Sequence, residues 1–140
     1  MNRSPIQLAA TLVGLAFLLA GIGGFIPGVT THAGDIALYG HESPAMLLGI
    51  FQVSVLHNII HLVFGVAGLV MARSAPKNYL VGGGIIYLVV WLYGLLIHPM
   101  STLNFVPLDD ADNWLHLTLG AAMVLLGVVL GKPAVTARDA

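Results

Sequence analysis

At 140 residues the chain has the length of one domain, yet 58% of it is hydrophobic and only 8% is charged, a balance that would make a water-soluble fold aggregate. A formal net charge of −1, with no basic stripe interleaved with aromatics, excludes nucleic-acid binding, which draws on clustered Lys and Arg. With no cysteine there is no disulfide, thiolate ligand or Cys nucleophile, so His, Asn and carboxylates must carry any chemistry.

The first apolar run, about residues 6–26, follows Arg3 and stops at Pro27. Its roughly 20 residues suit a hydrocarbon core about 30 Å thick. A secretory signal cleaved near Ala20-Gly21 is the alternative; the run is longer than a usual signal core, and its exit sequence recurs later in the chain. The second run ends at Arg73. From Pro44 to Ala72 it would measure roughly 43 Å at about 1.5 Å per residue, too long for a perpendicular span. Counting about 20 residues back from Arg73 places the span at 53–72, with Ala45 to Gln52 an interfacial turn or a helical extension, or else the helix is strongly tilted. The third span is expected over 79–97 and the fourth over 113–131, between Asp112 and Lys132, leaving outer loops at 27–52 and 98–112. No strand alternation is visible, and backbone in hydrocarbon must bond within its own segment, so each span is read as helix. The expected fold class is all-α: an integral membrane four-helix bundle.

All five basic residues, Arg3, Arg73, Lys77, Lys132 and Arg138, fall in the tails or the second loop, which four spans place on one side. The positive-inside rule makes that side cytoplasmic. Five of the six acids, Asp35, Glu42, Asp109, Asp110 and Asp112, fall in the other two loops.

The two halves also repeat. Asn58-Ile59-Ile60-His61-Leu62-Val63-Phe64-Gly65 and Asn113-Trp114-Leu115-His116-Leu117-Thr118-Leu119-Gly120 both read N-x-x-H-L-x-x-G, and upstream of them Phe25-Ile26-Pro27 matches Phe105-Val106-Pro107. The unit is a helix pair, so the halves are expected to form a parallel repeat about an axis along the membrane normal. Asn and His at i and i+3, with Gly at i+7, make a polar stripe ending in a notch for a partner helix. Ala20 and Gly24, Gly82 to Gly84, and the G-x-x-x-G pair Gly127 and Gly131 add further small faces.

The combination of His57-Asn58-x-x-His61-Leu62 with Asn104-Phe105-x-Pro107 and Ala111-Asp112-Asn113-x-x-His116 resembles the small bacterial membrane proteins, frequent in actinobacteria, grouped as domain of unknown function 4383. The resemblance covers nearly the whole chain. It implies four membrane helices in the bacterial cytoplasmic membrane, and no established activity, substrate or cofactor.

All six histidines lie toward the outer side: His32 and His41 in the first loop, His98 after the third helix, and His57, His61 and His116 within helices. With Gln52, Asn58, Asn113 and the acids they are expected to line a polar basin opening outward between the second and fourth helices. His61 lies 12 residues above Arg73 and His116 lies 16 above Lys132, a depth difference of about 6 Å. The leading expectation is architectural: Asn58, His61, Asn113 and His116 bridge helices by hydrogen bonds, and Asp112 or Asn113 caps the fourth helix. The protein is then a non-enzymatic accessory subunit that packs with other membrane subunits or with itself, with no cofactor.

The alternative is a metal- or haem-binding redox or sensing protein. His57 and His61 at i and i+4 can chelate one ion, with His116 or His98 completing the shell, and His61 with His116 can supply both axial ligands of a haem. Proton relay by the histidines is a further alternative, opposed by the apolar stretch from Leu62 to Ala72. No H-E-x-x-H, Ser–His–Asp order or phosphate loop is present, so hydrolase and nucleotide chemistry lack support. A fluorescent reporter fused after Ala140 is expected to be cytoplasmic; a periplasm-dependent phosphatase active at that position would reverse the orientation.

Overall fold

The computed structural model describes residues 3–132, so Arg138 lies outside the described residues. Four helices follow one another up and down: α1 (Pro5–Gly23), α2 (Val55–Ser74), α3 (Pro76–Leu96) and α4 (Asp110–Leu130). Each is long and apolar enough to cross a membrane, which makes the chain a multi-pass membrane protein of the all-α four-helix class.

Local chemistry sets the ends. Pro5 opens α1, where its missing N–H costs nothing, and the Ser4 N–H donates to Gln7 Oε1 at 3.1 Å. A single residue, Ala75, separates α2 from α3, and Pro76 opens the new helix. The third helix thus begins three residues before Tyr79.

The segment Ala45 to Gln52 is neither helical extension nor part of a tilted helix. It belongs to a three-stranded antiparallel sheet formed by β1 (Thr30–Thr31), β2 (Met46–Leu47) and β3 (Phe51–Gln52). The β2–β3 turn places Leu48 and Gly49 at φ 54° and 71°. The long apolar run therefore divides between a hairpin and a helix of 20 residues, which resolves the excess length. Strands of two residues have no period to read, so the pattern that identifies strands is missing from them.

Helices α1 and α2 form one close pair and α3 and α4 the other. The closeness comes from glycine against glycine. A Cβ on Gly14 would stand 3.0 Å from Gly65 O and one on Gly65 2.8 Å from Gly14 O; for Gly84 and Gly120 the reciprocal distances are 2.7 and 2.9 Å. Between the pairs lies a core of Ala10, Phe17, Ala72, Tyr79, Leu80, Tyr87 and Met123.

The buried positions of α2 and α4 coincide one for one at a fixed offset: His57 with Asp112, Asn58 with Asn113, His61 with His116, Gly65 with Gly120, Gly68 with Met123 and Ala72 with Gly127. In α1 and α3, Ala10, Gly14 and Phe17 match Leu80, Gly84 and Tyr87 in the same way.

Gly84→Ala is expected to lower stability by about 1–3 kcal/mol, because the added carbon meets backbone that cannot move aside. Gly82→Ala, where nothing lies within 4 Å, is expected to be neutral or mildly stabilising. Thermal unfolding in detergent checks both, and equal melting temperatures for the two variants would contradict the close-contact account.

Candidate functional site

The site is built where α2 and α4 begin. Ser54 caps α2, its Oγ accepting the His57 N–H at 3.2 Å. Asp109 caps α4: its Oδ1 accepts the Asp112 N–H at 2.8 Å, while its own N–H donates to Asp112 Oδ2 at 3.4 Å. Neither Asp112 nor Asn113 is the cap, as the sequence reading had it. The helix starts earlier, and Asp112 closes the capping box from its third position. Three aspartates within four residues, Asp109, Asp110 and Asp112, leave the start of the helix ambiguous in sequence; the counterpart Ser54, three residues before His57, is the signal that identifies Asp109.

From these starts, His61 and His116 are each the seventh residue of their helices and lie level. The expected 6 Å stagger does not occur. It was measured from Arg73, which lies inside the last turn of α2, and from Lys132, which lies beyond the end of α4.

His57, one turn before His61, completes a buried cluster in which one ligand atom from each of the three rings lies within 4.8 Å of the others. The ring centroids of His57 and His61 are 4.5 Å apart, and those of His57 and His116 6.4 Å apart with the planes nearly parallel. Phe17 flanks His61 at 5.7 Å, and its counterpart Tyr87 flanks His116 at 5.0 Å. His57 Nδ1 lies 3.2 Å from Gln52 O. A carbonyl only accepts, so Nδ1 carries the proton, and in the neutral ring the lone pair is on Nε2.

The other polar atoms are unpartnered. Nδ1 of His61 and of His116, both amide atoms of Asn58 and Oδ1 of Asn113 are buried with no hydrogen-bond partner among the described residues. Each such group costs about 1–3 kcal/mol when left unsatisfied. The helix-bridging hydrogen bonds expected of Asn58, His61, Asn113 and His116 are therefore not found among the described residues. Instead, Asn58 rests on Gly24 and Asn113 on Gly94, where a Cβ at either glycine would collide with the amide. Gly24 is one of the small residues expected to support close packing; its counterpart Gly94, at the same half-to-half offset as Phe17 and Tyr87, has no motif in the sequence to mark it.

Nor does the cluster open outward as a polar basin. Above it lie buried Val53, Ser54, Asn104, Pro107 and Leu108. Asn104 braces the 98–109 loop, donating to Pro99 O and Leu108 O and accepting the Leu108 N–H at 3.0 Å. Gln52 Nε2 donates to His41 O and Ser43 O, both at 2.8 Å, and the Gln52 N–H donates to Asp109 Oδ2 at 3.1 Å, tying the hairpin to α4.

Two spaces adjoin the cluster. One, about 360 Å³, lies among Leu19 and Ala20 of α1, Leu115 of α4 and the hairpin residues Leu47, Leu48 and Phe51, and reaches His57, His61 and Asp112. The other, about 250 Å³, passes between Ile60 of α2 and Ile86 and Val90 of α3 to reach His57, His61 and His116. Both are walled mainly by apolar side chains. His98, considered as a fourth ligand, is elsewhere, exposed on the loop after α3 with its Nδ1 accepting the Met100 N–H at 3.2 Å. His32 and His41 likewise stay in the outer loop.

Fold and site thus define a four-helix membrane protein with a buried His/Asn cluster covered by buried loop residues where α2 and α4 begin. The chain belongs to the family described as Domain of unknown function (DUF4383), whose model matches residues 7–129. No curated protein and no solved structure matches it.

Asp109→Ala is expected to cost about 1–2 kcal/mol, since it removes the α4 cap and the acceptor for Gln52 together. Asp109→Asn, which keeps an acceptor, is expected to lose less. Unfolding of the two variants in detergent decides this, and an unchanged Asp109→Ala midpoint would show that the roof is held by other contacts.

Proposed function

We propose that this protein binds a transition-metal ion at His57, His61 and His116 in the outer half of its membrane bundle. One observation carries the reading: three buried imidazoles converge within 4.8 Å, and two of them have a ring nitrogen with no hydrogen-bond partner among the described residues. A three-His set suits zinc, copper, iron or nickel, and three protein ligands leave a position open. The His57 Nδ1–H···O=C contact to Gln52 is the kind of outer-shell bond that orients a ligating histidine. Bonds of about 2.0–2.1 Å in a tetrahedral site place nitrogens about 3.3 Å apart, so ring rotations of small amplitude close the set. The open position would face the apolar side grooves, which favours a small or lipid-soluble ligand.

Haem fits less well. Phe17, Phe64 and Tyr87 pack with centroids 5.1 to 5.5 Å apart against the cluster, where a macrocycle lying between His61 and His116 would have to pass. The accessory-subunit reading rested on glycine faces, and most of these are used inside the bundle. Gly14, Gly65, Gly68, Gly83, Gly84, Gly120 and Gly127 each meet side chains or backbone of this chain's own helices, whereas Gly82 faces open space. The matched registers of buried residues support two repeated helix pairs about an axis along the membrane normal. Arg3, Arg73, Lys77 and Lys132 on one side support both termini being cytoplasmic, in a bacterial cytoplasmic membrane.

The test is metal analysis of the full chain purified in mild detergent, stripped with chelator and titrated with Zn(II) and Cu(II). About one ion per chain is expected, with a rise in melting temperature on binding. His61→Ala and His116→Ala are each expected to weaken affinity at least about tenfold, and His98→Ala to leave it unchanged. Failure of the native chain to bind either ion, or equal binding by the His61 and His116 variants, would overturn the proposal.

A further inference from the structure

On the opposite side of the membrane, the N-terminal end of α1 and the C-terminal end of α2 enclose a cleft of about 790 Å³ lined by Arg3, Gln7, Thr11, Leu69, Val70 and Arg73, together with Ala72. We propose that it binds the phosphate of an anionic phospholipid, with one acyl chain lying in the adjoining trough on α2.

Two observations carry this. The first is charge. Both arginines line one cleft to which no carboxylate contributes among the described residues, and all five described acids lie at the other end of the molecule. Hydrogen bonds fix the Arg3 guanidinium and tie the two helix ends together: Arg3 Nη1 donates to Thr11 Oγ1 at 2.9 Å, Thr11 Oγ1 donates to Gln7 O at 2.7 Å, and Gln7 Nε2 donates to the Arg73 backbone carbonyl at 3.4 Å. Arg3 spends one of its five N–H groups there, and the remaining fork matches a phosphate. Arg3 stands just ahead of α1 and Arg73 in the last turn of α2, at the level where a span ends and headgroups begin.

The second is shape. Val70 lines both this cleft and a trough of about 540 Å³ formed by Leu62, Val63, Val66, Ala67, Val70 and Met71, which runs along α2 into the hydrocarbon. A charged pocket opening into an apolar trough suits a phospholipid better than a free anion. The second helix pair differs at the matching positions. Gln7 and Thr11 correspond there to Lys77 and Val81, and the Lys77 chain packs against Gly131, where a Cβ would lie 2.8 Å from its Cδ. One lipid per chain is the expected stoichiometry.

Native mass spectrometry of the full chain, titrated with phosphatidylglycerol or phosphatidylcholine, tests this. One phosphatidylglycerol is expected to be retained in at least about tenfold preference, and the preference to vanish in the Arg3→Gln/Arg73→Gln double variant. Val66→Trp, at an exposed position in the trough, is expected to lower lipid retention with the melting temperature of the lipid-free protein unchanged. Equal retention of the two lipids, full retention by the double variant, or stabilisation by inorganic phosphate equal to that by the lipid would overturn the proposal. Because the probe and the residues differ from those of the metal site, either result can fail while the other stands.

Discussion

Backbone contact between Gly14 and Gly65, and between Gly84 and Gly120, sets how closely the helices of each pair approach, and most other features follow from that distance. In hydrocarbon there is no hydrophobic drive between helices, so association depends on packing and on polar contacts. Glycine pairs allow packing at the closest range, and that range brings Asn58 onto Gly24 and Asn113 onto Gly94. Each amide then lies inside its own helix pair, while the histidine three residues on points to the space between pairs. The glycines therefore position the imidazoles without touching them.

The outer loops have a second role. Ser54 and Asp109 each begin a helix, and Asp109 also holds the hairpin through Gln52. The residue that sets the start of α4, and with it the level of His116, is thus the residue that keeps the roof closed. Gln52 joins the same system from the other direction, its carbonyl fixing the His57 ring and its side chain binding back to the loop. The cluster adjoins two spaces walled mainly by apolar side chains of the helices and of the loops at this end of the bundle. That arrangement sets it apart from an aqueous vestibule and is what makes three convergent, poorly satisfied imidazoles a chemical feature as well as a packing one.

Four membrane helices were legible in the sequence because apolar runs of this length have one stable solution in a bilayer. The small sheet was not, since two-residue strands leave no alternation to detect, and residues 45–52 were compatible with an interfacial turn, a helical extension or a tilted helix. His57 and His61 could be paired from their i, i+4 spacing, and His116 related to His61 by the shared motif. Their relative depth could not, because charged residues at helix ends were taken as level markers although Arg73 lies within its helix and Lys132 outside. His98 looked similar to the others by composition and differs only in position, on a turn that satisfies its own ring. The match between halves extended well past the motif that revealed it: Ser54 with Asp109 and Gly24 with Gly94 follow the same offsets, but dissimilar residue types in one case and distance from the motif in the other hid them.

One mismatch within that register has its own meaning. Where the first half has His57, the second has Asp112. Two identical halves would present four equivalent positions and would treat both sides of the centre alike. Replacing one imidazole by a carboxylate that is already engaged in capping gives the centre a handedness of approach. The two adjoining spaces differ accordingly: one is lined by Asp112 beside His57 and His61, the other by His116 beside the same two rings. Of the six paired buried positions of α2 and α4, this is the one that sets an imidazole against a carboxylate, so the two helix pairs meet the cluster with different chemistry.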